Sequence, residues 1–363
     1  MQKKLIALAV AGLVSAPVFA QSNIQVYGVA DAYMKYGDFM GDDTMGVDSG
    51  GLMGSRIGFR GEEDLGSGLK AVFVLEQGFN IDTGASMSEG SSFARQAYVG
   101  LKGNFGQVAL GRQYAPGYFT GEYDALLNAF VSPMSLLSNF AGLTITPNSP
   151  ARWNNSVTYN GTFQSVSVAG IYSAGNRETD EKGGPDYTDD DKYGVSLKYD
   201  NGPLKIGGIY QAVKFKDVAD ETQNEWLIGA SYNFGMATLA GSYQQGRDVL
   251  GVDGLDVDLW QVGVIVPVGA GNIHVAYAQT KLDYPSHLGG GDDKPKAFTV
   301  AYTHALSKRT TGYLGYTKVD YDDLTWGAVG PDGLKRVSDT NGHSDTEKVG
   351  DTDLFYVGIN HKF

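Results

Sequence analysis

The chain has 363 residues, a net charge of −13, no cysteine, and 51 glycines beside 22 tyrosines and 16 phenylalanines. The acidic balance argues against nucleic acid as a partner, and the lack of cysteine removes disulfides and thiolate metal sites. Past residue 20 no apolar run reaches the roughly 18 residues of a transmembrane helix, while glycine with many aromatics suits a chain of many strands.

Lys3 and Lys4, the apolar "LIALAVAGLV" and the small-residue "VFA" before Gln21 read as a secretory signal peptide over 1–20, with cleavage expected after Ala20. Its loss removes two lysines and no acid, leaving one domain, 21–363, with a net charge of −15. From there the period is two. In "VSLKYD" Val195, Leu197 and Tyr199 oppose Ser196, Lys198 and Asp200. In "EWLIGASYNF" Trp226, Ile228, Ala230, Tyr232 and Phe234 oppose Leu227, Gly229, Ser231 and Asn233. In "AFTVAYTHAL" Phe298, Val300, Tyr302, His304 and Leu306 oppose Ala297, Thr299, Ala301, Thr303 and Ala305. These are strands with one apolar face and one small or polar face.

Seven connections are tight, among them "EDLGSG", "KGNFG", "YDNGP" and "PVGAG", and eight are long and polar, near 37–51, 81–92, 114–150, 174–191, 216–223, 247–255, 283–295 and 320–351. Short and long alternate, which predicts a meander of sixteen strands. The apolar face is too greasy for water, and the other, with Lys, Arg, Asn and Ser, is too polar for a sandwich core. The fold class that satisfies both is all-β: a closed antiparallel 16-stranded transmembrane β-barrel, with lipid outside and a water column within. The terminal "DLFYVGINHKF" (Asp353 to Phe363) continues this alternation to its last residue, so the last strand should pair with the first, from Ile24, and place Phe363 outward at the membrane interface.

Whole stretches also resemble a family. "SRIGFRGEEDLGSGLKAVFVLE" (Ser55 to Glu76), "FARQAYVGLKGNFGQVALGRQY" (Phe93 to Tyr114), "ARWNNSVTYNG" and the terminal "VGINHKF" are similar to the general diffusion porins of Gram-negative outer membranes. The resemblance implies a homotrimer in outer-membrane lipid and lipopolysaccharide, whose third long loop folds into the lumen and whose terminal Phe363 is read by the outer-membrane assembly machinery. It implies passive transport of small hydrophilic solutes and ions, with no cofactor and no catalysis.

Strand parity gives the arginines a direction. Arg56 shares a face with Gly54, Gly58 and Arg60, and Arg152 with Asn154, Ser156 and Thr158. Arginine on the lipid face near mid-membrane costs roughly 2–4 kcal/mol, so these point into the lumen. The resemblance assigns Arg56, Arg95, Arg112 and Arg152, with Arg60 continuing the Arg56 face, to a basic wall at the constriction. Facing it, the loop "YAPGYFTGEYDALLNAFVSPM" offers Glu122 and Asp124, with Asp124 expected to cap a short helix through "ALLNAF". Four arginines against two acids predict a mild preference for anions. Tyr114, Tyr118 and Phe119 are too few to argue a substrate-selective pore. Tyr199, Trp226 and Tyr302 read as membrane-girdle residues, and the "DDD" and "GDD" runs as solvated loops. The five histidines (His274, His287, His304, His343, His361) lack metal-ligand spacing. His274, near Asn272, is the one weak candidate for a barrel enzyme, and an adhesin role of the long loops is a third alternative.

Overall fold

The computed structural model describes residues 23–88, 90–175, 190–215, 221–288, 290–321, 326–330, 333–336 and 350–363. The expected signal peptide, His343 and Asp189 of the "DDD" run lie outside them.

The strands, in chain order, are β1 (Asn23–Phe39), β2 (Asp42–Ser49), β3 (Arg56–Gly66), β4 (Leu69–Gly78), β5 (Gln96–Gly103), β6 (Gly106–Tyr114), β7 (Arg152–Phe163), β8 (Val166–Ser173), β9 (Lys192–Asn201), β10 (Leu204–Phe215), β11 (Glu221–Asn233), β12 (Thr238–Arg247), β13 (Asp256–Val268), β14 (Gly271–Asp283), β15 (Asp292–Asp293), β16 (Lys296–Ala305), β17 (Thr310–Asp320), β18 (Trp326–Gly330), β19 (Gly333–Arg336) and β20 (Thr352–Lys362). Each pairs antiparallel with its neighbours. Both β2 and β3 lie along the same edge of β1, so together they form one strand interrupted at 50–55. The two residues of β15 lengthen the β14 partner that β16 provides, and β18–β19 is a separate hairpin. Sixteen spanning strands result, and the other edge of β1 pairs with β20 from Val29↔Lys362 to Asp38↔Asp353. All edges are thus used up.

Closure extends to the last residue. Gly28 and Phe363 exchange backbone hydrogen bonds of 3.0 and 3.1 Å. The Phe363 ring lies over Gly28, where an added Cβ would fall 2.3 Å from the ring, so a residue without a side chain is required at that point. The terminal strand is tied down because its outward residues, Phe355, Val357, Ile359 and Phe363, form part of an exposed apolar surface while Leu354, Tyr356 and Asn360 are buried.

The apolar surface is banded as a bilayer requires. An aromatic row runs across neighbouring strands through Tyr172, Tyr193, Tyr210, Trp226, Tyr243, Trp260, Tyr277, Phe298, Tyr316, Phe355 and Tyr36, joined by cross-strand pairs such as Tyr210↔Trp226, Tyr243↔Trp260 and Tyr316↔Phe355. Nearer the tight turns lies a second group with Tyr199, Tyr232, Phe234 and Tyr302. Six residues separate Trp226 from Tyr232, about 20 Å along the strand. Trp226 therefore belongs to one girdle, and Tyr199 and Tyr302 to the other. No helix among the described residues is long and apolar enough to cross a membrane.

Six of the seven tight turns fall where the pattern places them; the seventh, expected at "YNGT", comes later, at Gln164–Ser165, with Asn160 and Gly161 paired inside β7. The first long connection differs: instead of a loop over 37–51, β1 and β2 form a regular hairpin that turns at Met40–Gly41. The polar face also differs. Leu227, Val257 and Leu259 point away from lipid and are buried, in one cluster with Met134, Leu137, Leu143 and Ile145 of the 115–151 segment. That half of the inner wall is apolar because protein, not water, covers it.

Candidate constriction site

Five neighbouring strands end at one level, and their ends carry the cations. Arg56 opens β3, Arg95 precedes β5, Arg112 lies near the end of β6 and Arg152 opens β7. In their midst, near the end of β4, stands Glu76. Its carboxylate accepts from Arg95 Nε at 2.8 Å and from the Tyr27 and Tyr114 hydroxyls at 2.9 Å each, with Arg56 Nε at 4.0 Å. Arg95 is only 1 % exposed and donates a further bond to the Tyr118 hydroxyl at 3.0 Å. A buried guanidinium persists because carboxylate and hydroxyls replace its water. Sequence reading missed Glu76, although it shares the inward parity of Val72 and Val74 and is the one acid of "KAVFVLE".

Arg112 and Arg152 are held by neutral acceptors. Arg112 donates to the Ala94 carbonyl at 2.7 Å and to the Asn154 side chain, and Arg152 to Ser149 Oγ at 3.0 Å. Among the described residues no carboxylate pairs with either. Arg152 lies over the Tyr114 and Tyr118 rings, 6.0 and 5.8 Å from their centroids. Those rings stack at 3.8 Å and an interplanar angle of 6°, with Phe119 edge-on to both. Arg60 is not in this group. Four residues from Arg56, about 13 Å along the strand, it bonds Gln25 and covers the Tyr27 ring.

The segment 115–151 lies across the polar face of β10 to β17, held by side chains of successive strands. Gln211 accepts from Gly117 N, Gln261 donates to the Tyr123 carbonyl, His274 Nδ1 to that of Ala125, and Thr299 and Thr317 to that of Val131. Glu225, buried in β11, accepts from Thr144 N and Oγ1, Ile145 N, Gln223 and Gln244. Tyr123 fills a notch made by the cross-strand pair Gly207↔Gly229: a Cβ on Gly229 would come 2.4 Å from its ring. His274 is thus a clasp for this segment, its Nε2 accepting from Thr303, not a catalytic base.

The loop acids differ from expectation. Asp124 is buried and accepts from Leu126 N and Asn128 N, both at 3.0 Å, closing a tight turn in which Leu127 and Asn128 take φ of 55° and 63°. "ALLNAF" is therefore not helical, and the helix of this segment is α1 (Pro133–Phe140), started by Pro133. Asp124 borders the cavity with its carboxylate turned to these backbone amides, and Glu122 borders it with Lys198 of β9 at 3.3 Å. The cavity between loop and wall, about 800 Å³, is lined by Arg56, Arg95, Arg152, Lys198, Lys205, Asp48, Glu122 and Asp124 with apolar side chains of the loop. Six cations and four acids give this group a net formal charge of +2 when Arg112 and Glu76 are counted.

Comparison with known proteins sets this geometry in a family. The model of the Gram-negative porin family matches residues 7–324. The chain belongs to that family. Outer membrane porin protein 32 of Delftia acidovorans is 34 % identical over 326 residues, covering 86 % of this chain and 88 % of the relative. Among solved structures, an anion-selective porin from Comamonas acidovorans superposes with a TM-score of 0.75 at 29 % identity, covering 94 % of this chain and all of that one. The trimer form of OmpT from Vibrio cholerae gives 0.64 at 16 % identity, covering 94 % and 99 %, a likeness of fold. The protein is an outer-membrane porin, a channel and not an enzyme.

Proposed function

We propose that this porin passes small hydrophilic solutes and inorganic ions down their gradients with a preference for anions, and that Arg56, Arg95, Arg112 and Arg152 with Lys198 set it. The observation that carries the reading is the pair Arg112 and Arg152, which no described carboxylate neutralises. Low-dielectric walls around a narrow water path focus the field of such charges, raising the local anion concentration and lowering that of cations. Glu122 and Glu76 are each paired with a cation and oppose this only in part, and the anion selectivity named for the Comamonas relative supports the same sign. The loop 115–151 sets the size limit by occupying part of the lumen, with Asp124 shaping it from inside. Reversal potentials in planar bilayers under a potassium chloride gradient test the reading, and a cation-selective potential would refute it.

The assembled state we propose is a homotrimer in lipid and lipopolysaccharide. The aromatic row that faces the interface elsewhere lapses across β2 to β7, whose exposed outward residues include Met45, Val47, Val99, Leu110 and Val157, a surface suited to another protomer. Export through cleavage after Ala20, and recognition of Phe363 by the assembly machinery, complete the proposal.

A further inference from the structure

The loop edge facing the arginines is apolar. Phe119, Leu127 and Phe130 are 47 %, 62 % and 42 % exposed and line the same cavity as Arg56 and Arg152. Leu127 holds that exposure in a left-handed backbone conformation, which a leucine adopts only at a cost. Asn128, beside it, ties this turn to the aromatic group by donating to the Tyr118 carbonyl at 3.3 Å. A slot for inorganic ions gains nothing from greasy residues held in water. A solute with an apolar body does.

We infer that the constriction favours monocarboxylates with an aromatic or branched apolar body over equally charged hydrophilic anions, and this rests on the anion-preferring reading above. Arg152 supplies the anion contact: its guanidinium can receive a carboxylate edge-on while its face lies on Tyr118. Phe119 stands next to that ring, 5.6 Å between centroids, and Lys198 Nζ is 5.9 Å from the Phe119 centroid, so a cation and an apolar surface adjoin within the span of an arylcarboxylate. Leu127 and Phe130 continue the apolar surface along the loop. The site is permissive to passage because it shields one face of the solute and leaves the other wet.

The test uses the intact porin in planar bilayers at fixed ionic strength, with benzoate, acetate or neutral benzyl alcohol added, reading the concentration of each that halves single-channel chloride conductance. Shielding one ring face corresponds to about tenfold tighter interaction, so benzoate should act at about one tenth of the acetate concentration. The variant Leu127→Asn with Phe119→Ser should shrink that gap to about twofold, Asn suiting the left-handed turn so that the loop keeps its path. Leu127→Asn alone, should the pair fail to assemble, should shrink it in part. Equal potency of benzoate and acetate in an anion-selective channel, or an undiminished gap in the variants, overturns this inference and leaves the proposed function standing. Block by benzyl alcohol as strong as by benzoate overturns it too, because the carboxylate would then be idle. A cation-selective reversal potential overturns both.

Discussion

Glu76→Gln separates the two duties of the wall. The carboxylate holds Arg95 and receives two tyrosine hydroxyls. Glutamine keeps the shape and one acceptor oxygen but loses the charge. The two tyrosine bonds fall from charge-assisted to neutral strength and the buried Arg95 loses its counter-charge, about 1 kcal/mol for each change, so the barrel should lose about 3 kcal/mol. The same change raises the charge of the group from +2 to +3. A unit charge about 7 Å from an ion in a water-like dielectric contributes about 0.6 kcal/mol, with opposite sign for anion and cation. Screening at 0.1 M salt roughly halves this, leaving about a threefold rise in the anion-to-cation permeability ratio. Urea unfolding in lipid vesicles reads the first effect and reversal potentials the second. Unchanged stability would mean that the Glu76–Arg95 pair does not brace the wall. A ratio that stays put or falls would mean that Glu76 does not act on the ion path.

Other variants probe the loop, the closure and the assembly. Glu225→Ala strands the buried amides of Thr144 and Ile145 at about 1–3 kcal/mol each, so single-channel conductance should rise and become noisier; a quiet, wild-type level would contradict the anchoring role. Gly229→Val drives a side chain into Tyr123 and should likewise enlarge the pore, seen as faster uptake of bulky solutes into proteoliposomes. Deleting Phe363 removes the backbone pair with Gly28 and should cut the heat-modifiable, folded fraction in the outer membrane severalfold, with an unchanged yield counting against the signal role. Val99→Arg places a charge on the outward face of β5 and should release monomers on native gels if that face is the protomer contact.

The strands were legible because lipid imposes one face at every step. Phe355, Val357 and Ile359 meet the same solvent as Trp226, Ile228 and Tyr232, so a period of two persists through the whole barrel. Where lipid ends, so does the signal: "GDFMGDDTMG" forms a hairpin above the membrane with both faces available to water, and no alternation marks it. The inner face was less readable, because its solvent changes from water to the 115–151 segment. Leu227 and Leu259 look misplaced until Leu143 and Ile145 cover them. Parity could have raised Glu76, but its pairing with Arg95 depends on the β4–β5 register, which brings Glu76 opposite Gln96. Asp124 shows the opposite failure. Its residue type suits a helix start, yet the left-handed Leu127 and Asn128 turn the chain before a helix can form.

Toward β10–β17 the loop is fastened without spending the arginines, and that separation explains how the barrel can hold the loop and still select. Every described polar tie from 117 to 145 to the β10–β17 side uses an amide, a hydroxyl, an imidazole or the Glu225 carboxylate, apart from Lys198, which meets Glu122 and the Phe119 carbonyl at the cavity edge. The break between β2 and β3 is treated the same way: Asp31, fully buried, accepts from Leu52 N, Met53 N, Tyr313 and Asn360. Had arginines fastened these segments, their charges would be consumed in burial and the path left to its acids. With neutral donors at the anchors, Arg112 and Arg152 remain for the solute, so replacing Thr299 with Val should loosen the loop at Val131 while the sign of the reversal potential stays anionic; a change of sign would show that fastening and selection are not separate.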